Sequence, residues 1–164
     1  MQLSKNNFAK LSDYIKEEAR DLEKYIFQYY FENGNKEDII EILKKYQNED
    51  GGFGNGIEPD FRMPDSSPMA TSIGIRYISK IDEHKKAEAM LKSAINYLER
   101  TFDEERKGWF ALTAEVNNYP HTPWWHFGEE KEMTVIDKNW GNPSAEIISY
   151  LYKYQEFVKQ LDIN

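Results

Sequence analysis

A chain of 164 residues is long enough for one domain with a real core, burying about two-thirds of the surface its unfolded form exposes. Its net charge of -8 argues against nonspecific nucleic-acid or anionic-membrane binding, which needs a basic face. It has no cysteine, which excludes disulfides, thiolate nucleophiles and cysteine metal sites.

Met1 is followed by Gln2, Ser4, Lys5, Asn6 and Asn7 with no apolar leader, and no run approaches the roughly 18 apolar residues of a membrane span. The expected location is cytoplasmic. Phe8, Leu11, Ile15, Leu22, Ile26 and Tyr29 recur at helical spacing and predict one long helix from about Asn7 to Phe31. Asn35, with Asp38 three residues on, starts a second helix that carries Ile39, Ile42, Leu43 and Tyr46 into a glycine turn. A third runs from Ser67 or Pro68 to Ile81, with proline in the first turn. Asp82 caps a fourth, striped by Ala87, Leu91, Ala94 and Leu98. A fifth opens at Asn142-Pro143 and repeats Ile147, Leu151, Tyr154, Val158 and Leu161. No segment alternates in the manner of a strand, so the expected class is all-α, in a single domain over 1–164.

Two irregular stretches interrupt the helices. The first, Asn48 to Ser66, is long for a connection in a compact domain and carries Glu58, Asp60, Arg62 and Asp65 among four glycines. Its carboxylates can hold a divalent cation through oxygen ligands, with Glu58 and Asp60 the candidate cation site, or can supply an acid and a base beside Arg62. The plainer reading makes Asp50 and Asp65 turn or helix caps and pairs Arg62 with Glu58 or Asp60 to organise the loop. The second stretch, Thr101 to Gly141, gathers Trp109, Phe110, Tyr119, His121, Trp124, Trp125, His126, Phe127 and Trp140. Aromatic faces suit sugar rings, isoprenoid tails or planar ligands, and a neighbouring histidine can move protons near neutral pH. Core packing is the expected job of Trp109 and Trp140, while two prolines keep His121-Thr122-Pro123-Trp124-Trp125-His126 at a surface. His121 and His126 as a metal pair is the weaker reading of that segment. Asn142 and Glu146, four apart at the start of the fifth helix, face one cleft unless Asn142 serves as a cap.

The string Tyr46-Gln47-Asn48-Glu49-Asp50-Gly51-Gly52-Phe53-Gly54 resembles the turn repeated in the α/α toroids, a superfamily of prenyltransferase subunits, terpenoid cyclases and some polysaccharide lyases. The run from Tyr46 to Ile73, with Pro120-His121-Thr122-Pro123-Trp124-Trp125 and Asn142-Pro143-Ser144-Ala145-Glu146, is similar to a bacterial prenyltransferase-like group. Gly52-Phe53 recurs in degenerate form as Gly108-Trp109. The resemblance implies antiparallel helical hairpins making about half of a ring, with Gln47 and Asp50 tying neighbouring helix ends together. It also implies a protein that binds or processes a small hydrophobic, isoprenoid-like ligand. The chain departs from the named enzymes: it has neither a zinc-binding cysteine nor the Asp-x-Asp-Asp and Asp-Asp-x-x-Asp strings of the cyclases. Glu58, Asp60, Arg62 and Asp65 supply the residue types of a Ca²⁺-dependent, lyase-like carbohydrate enzyme, which is the alternative. A non-catalytic assembly module, homodimeric through Tyr150, Leu151, Tyr152, Tyr154, Phe157 and Val158 of the fifth helix, is the other. The candidate catalytic residues are Glu58, Asp60, Arg62 and His121, and the candidate substrate-binding residues are Trp124, Trp125, His126, Asn142 and Glu146.

Overall fold

The computed structural model describes residues 3–81 and 83–160. Among them the chain is mostly helical, with six α-helices and one two-stranded sheet. The described residues fall into two compact units, one ending at Leu43 and the other beginning at Lys44.

The first unit holds α1 (Lys5–Glu18), α2 (Asp21–Phe31) and α3 (Lys36–Leu43). The expected single helix from Asn7 to Phe31 is broken, because Ala19 and Arg20 are extended (φ -74, ψ 160 and φ -66, ψ 156). Charge explains the break. Glu17 and Glu18 would oppose the dipole at the C-terminus of α1, whereas Asp21 and Glu23 favour a fresh N-terminus at α2. The two helices then pair, with Phe8 against Phe27 and Phe31 at 5.9 Å each, and with Glu32 accepting from Ser12 (2.6 Å) and Lys16 (2.7 Å). Asn35 caps α3 as its spacing predicts, accepting the Asp38 N–H at 2.8 Å.

The second unit is built on α4 (Pro68–Ile78), α5 (Lys85–Arg100) and α6 (Gly141–Lys153), with α4 packed against both of the others. Ser67 caps α4 through the Ala70 N–H. Asp82, the expected cap of α5, lies outside the described residues, and His84 Nδ1 accepts from the Lys86 N–H. The stripe Ala87, Leu91, Ala94 and Leu98 is buried, as its period requires. Helix α6 ends at Lys153, earlier than expected, and Leu161 lies outside the described residues. Leu151 and Tyr154 are buried, leaving Ile148 and Tyr152 as the large exposed apolar side chains of α6. No helix among the described residues is long and apolar enough to cross a membrane.

The glycine turn ties this unit together. Gln47 donates its side-chain N–H groups to the carbonyls of Gly51 and of Met90 in α5, both at 2.9 Å. Asp50 Oδ1 accepts from Gly52 N–H and the Ser66 hydroxyl, so its role is to hold the turn. Gly51 has φ +89 and lies so close to α5 that a Cβ there would sit 2.5 Å from the Ser93 carbonyl oxygen.

The loose sequence repeat has a structural counterpart. The buried N–H of Phe53 donates to Thr71 Oγ1 on α4 at 2.9 Å, and that of Trp109 donates to Ser144 Oγ on α6 at 3.0 Å. In both cases a Gly-aromatic turn is anchored to a hydroxyl near the proline that opens the following helix. Trp109 is core, its Nε1–H on the Leu98 carbonyl. Trp140 is not: it is 44% exposed and clamps the turn by donating to the carbonyls of Arg106 and Lys107. Gly108 leaves no room for a Cβ beneath it, and the indole is held at the surface.

Candidate functional site

The two irregular stretches meet through their backbones. Arg62 N–H donates to the Pro120 carbonyl and Thr122 N–H to the Asp60 carbonyl, both at 2.9 Å, an antiparallel bridge that sets Phe61 opposite His121. Residues opposite one another in such a pair share a face, and their neighbours take the other. Phe61 is fully buried and meets Trp125 edge to face at 5.4 Å, while Asp60 and Arg62 flank it with their side chains turned away.

The acidic loop is organised locally. Glu58 Oε1 accepts the Asp60 N–H at 3.3 Å, and among the described residues no ion pair joins Arg62 to Asp60. Nor do three or more His, Asp or Glu side chains converge as a metal-ligand group among the described residues. Trp124 is 44% exposed beside this bridge, whereas Trp125 is inside the protein at 4%.

The histidines are brought together. His121 Nε2 lies 3.1 Å from His126 Nδ1, and the ring planes are within 17° of one another. The 5.4 Å between centroids is that contact plus one ring radius at each end, so the imidazoles meet end to end, not face to face. His121 Nδ1 lies 2.7 Å from the Tyr119 carbonyl, which can only accept, so His121 carries a proton on Nδ1. In the neutral pair Nε2 of His121 is then the acceptor and Nδ1 of His126 the donor. Such a chain holds its rings in fixed tautomers and can share an added proton.

Both histidines sit on anchored backbone. His121 is flanked by the two bridge hydrogen bonds, and Trp125, the neighbour of His126, is buried. The other neighbour, Phe127, is gripped by Asn117, which accepts the Phe127 N–H (3.0 Å) and donates to its carbonyl (2.9 Å). Phe127–Gly128 (β1) pairs antiparallel with Met133–Thr134 (β2), forming a short hairpin. Asp137 fastens that hairpin to the core. It is 2% exposed, its Oδ1 accepts the Ala111 N–H, and its Oδ2 accepts both the N–H and the hydroxyl of Thr134. Arg106 closes the knot by donating to the Asp137 carbonyl at 2.7 Å.

A cavity of about 520 Å³ opens along this hairpin. His126 stands on its wall, with Phe127, Met133 and Val135 supplying apolar surface and Glu129, Glu130, Lys131 and Lys138 supplying charge of both signs. Sequence reasoning passes over Asn117, Met133 and Asp137. The string Thr134-x-x-Asp137 has the spacing of a reciprocal cap and is the one signal that points to the buried knot.

Asn142 and Glu146 belong to a different arrangement. Asn142 has non-helical backbone at the mouth of α6, its N–H on the Asn139 carbonyl. Glu146 is saturated: Arg76 of α4 grips it with two donors (2.9 and 2.8 Å), and the hydroxyls of Ser72 and Tyr150 add two more. Burial raises the Glu146 carboxyl, but those donors outweigh it and hold the group below its usual range. The same carboxylate raises the Arg76 guanidinium, and burial beside Glu146 pushes the Tyr150 phenol up to about 12. This cluster ties α4 to α6.

No family model, no curated protein and no solved structure matches this chain.

Proposed function

We propose that the chain binds a small, largely apolar ligand in the hairpin cavity, with the ligand's polar end at His126. The observation that carries this reading is the concavity itself. Apolar walls from Phe127, Met133 and Val135 converge with one imidazole and four charged side chains, the carboxylates of Glu129 and Glu130 and the ammonium groups of Lys131 and Lys138, a concave mixture of apolar and polar surface that suits an amphipathic small molecule. An isoprenoid-like molecule fits that chemistry, its chain on the apolar wall and its head group within reach of His126 or a lysine.

The toroid-type reading of the helices is part of the same proposal. Its support is the Gln47 bond to α5 and the paired Gly-aromatic anchors at Thr71 and Ser144, which give the second unit two related turns. Titrating ¹⁵N-labelled protein with geraniol tests the ligand reading. Saturable shifts confined to Asn117, residues 126–135 and Lys138 are expected. Shifts scattered over the surface, or clustered around Glu58 and Asp60 instead, would count against it.

A further inference from the structure

We infer that His126 is a general base whose free Nε2 is generated and aimed by His121, making the rim of the cavity a catalytic site for proton transfer. The placement of a substrate there rests on the cavity reading above, but the state of the two rings does not.

Tyr119 C=O takes the Nδ1 proton of His121, so the His121 Nε2 lone pair faces His126 Nδ1 at 3.1 Å. That lone pair requires a hydrogen on His126 Nδ1, which leaves His126 Nε2 bare. An orienting acceptor behind an imidazole, fixing its tautomer and stabilising the cation formed on protonation, is the arrangement that makes histidine an effective base. Here a second imidazole takes the orienting place, so the stabilisation is by hydrogen bonding and charge sharing, without a carboxylate. His126 is exposed and on the cavity wall, whereas His121 is half-buried between bridge hydrogen bonds. The inner ring is therefore the positioning residue and the outer one the catalytic residue.

The step balances without any further group. An acidic O–H of the substrate, or of a water beside it, loses its proton to the His126 Nε2 lone pair, and the oxygen keeps the bonding electrons. The positive charge spreads through Nδ1–H to His121, whose own Nδ1–H stays on Tyr119. With water as the nucleophile the new bond forms to an electrophilic carbon, the leaving group departs with its electron pair, and the proton passes from Nε2 to leaving group or solvent. The reaction class open to the site is thus hydrolysis.

Long-range ¹H–¹⁵N correlation on the ligand-free chain at neutral to mildly alkaline pH reads the tautomers directly. Neutral His121 and His126 should both carry their proton on Nδ1, and His121→Phe, which keeps a ring but removes the acceptor, should return His126 to the Nε2–H form favoured by free imidazole. A wild-type His126 protonated on Nε2 overturns the proposal, and this result needs no folded variant. Hydrolysis of ethyl dichloroacetate, an ester whose leaving group is too poor for direct attack by imidazole, supplies the chemical readout. The rate should fall to near the uncatalysed background in His126→Gln, fall several-fold towards that of solution imidazole in His121→Phe and stay unchanged in His84→Gln. Equal rates in all four proteins would show that the ring pair does not activate a base. Correct tautomers with no response to geraniol would refute the ligand reading alone.

Discussion

The backbone N–H of Thr122 donates to the carbonyl of Asp60 over 2.9 Å, and through that bond the glycine-rich loop holds the histidine segment in place. Asp60 and Arg62 contribute main chain to this junction, and Phe61 between them contributes a buried ring. Asp60→Ala and Arg62→Ala should therefore shift stability by no more than about 0.5 kcal/mol, while Phe61→Ala should cost about 3–5 kcal/mol. Urea denaturation of the three variants checks the contrast, and a loss at Asp60 as large as that at Phe61 would show that its carboxylate does structural work.

Gly74 lies inside α4, where alanine would ordinarily stabilise by about 1 kcal/mol. A Cβ there would stand 2.5 Å from the Phe53 ring, which is fully buried. Gly74→Ala should destabilise by about 1–3 kcal/mol in spite of the helix preference. A gain in thermal midpoint would mean that Phe53 can move aside.

Glu146 gives the fold an acid-sensitive tie. Its folded carboxyl lies below the ordinary value of 4.5, so the stabilisation is complete above that value and is lost as pH falls through the lower folded one. Glu146→Gln should lower stability at pH 7 and flatten the decline between neutral and acid pH. Parallel pH profiles for the two proteins would contradict the assignment.

Asp137 accepts three hydrogen bonds in a buried place. Asn can offer only one oxygen and turns an amide donor towards a second donor, so Asp137→Asn should cost about 2–4 kcal/mol. The hairpin amides should lose their protection first, since Thr134 is held by that carboxylate. Hydrogen exchange at Met133 and Thr134 is the test, and unchanged protection there would show that the β1–β2 pairing stands without it.

Helix positions were legible in the sequence wherever burial imposes a 3.6-residue period, as at Ala87, Leu91, Ala94 and Leu98, or where a cap is spelled out, as at Asn35. The break after α1 was not, because the apolar positions on either side keep nearly continuous phase and only the charges around it disagree. At the site, the Pro-bracketed histidine segment stood out by composition, yet the end-to-end contact of His121 and His126 depends on a turn no local pattern specifies. Trp125 reads as a surface aromatic beside Trp124, whereas it is buried against the ring of Phe61, distant in sequence. The cavity was equally hidden, since its walls come from a hairpin only two residues long on each side and from a buried aspartate that anchors it.

The affinity of geraniol for the wild-type chain and for Met133→Asp, measured by calorimetry, tests the ligand site most directly. Met133 is half-buried on the cavity wall, and a carboxylate there spoils the apolar surface without touching the histidine pair. Saturable binding to the wild type, weakened about tenfold or more (about 1.4 kcal/mol) by the substitution with the fold intact, is the expected result. Equal affinity for both proteins, or no binding to either, would contradict the assignment of the hairpin cavity as the ligand site.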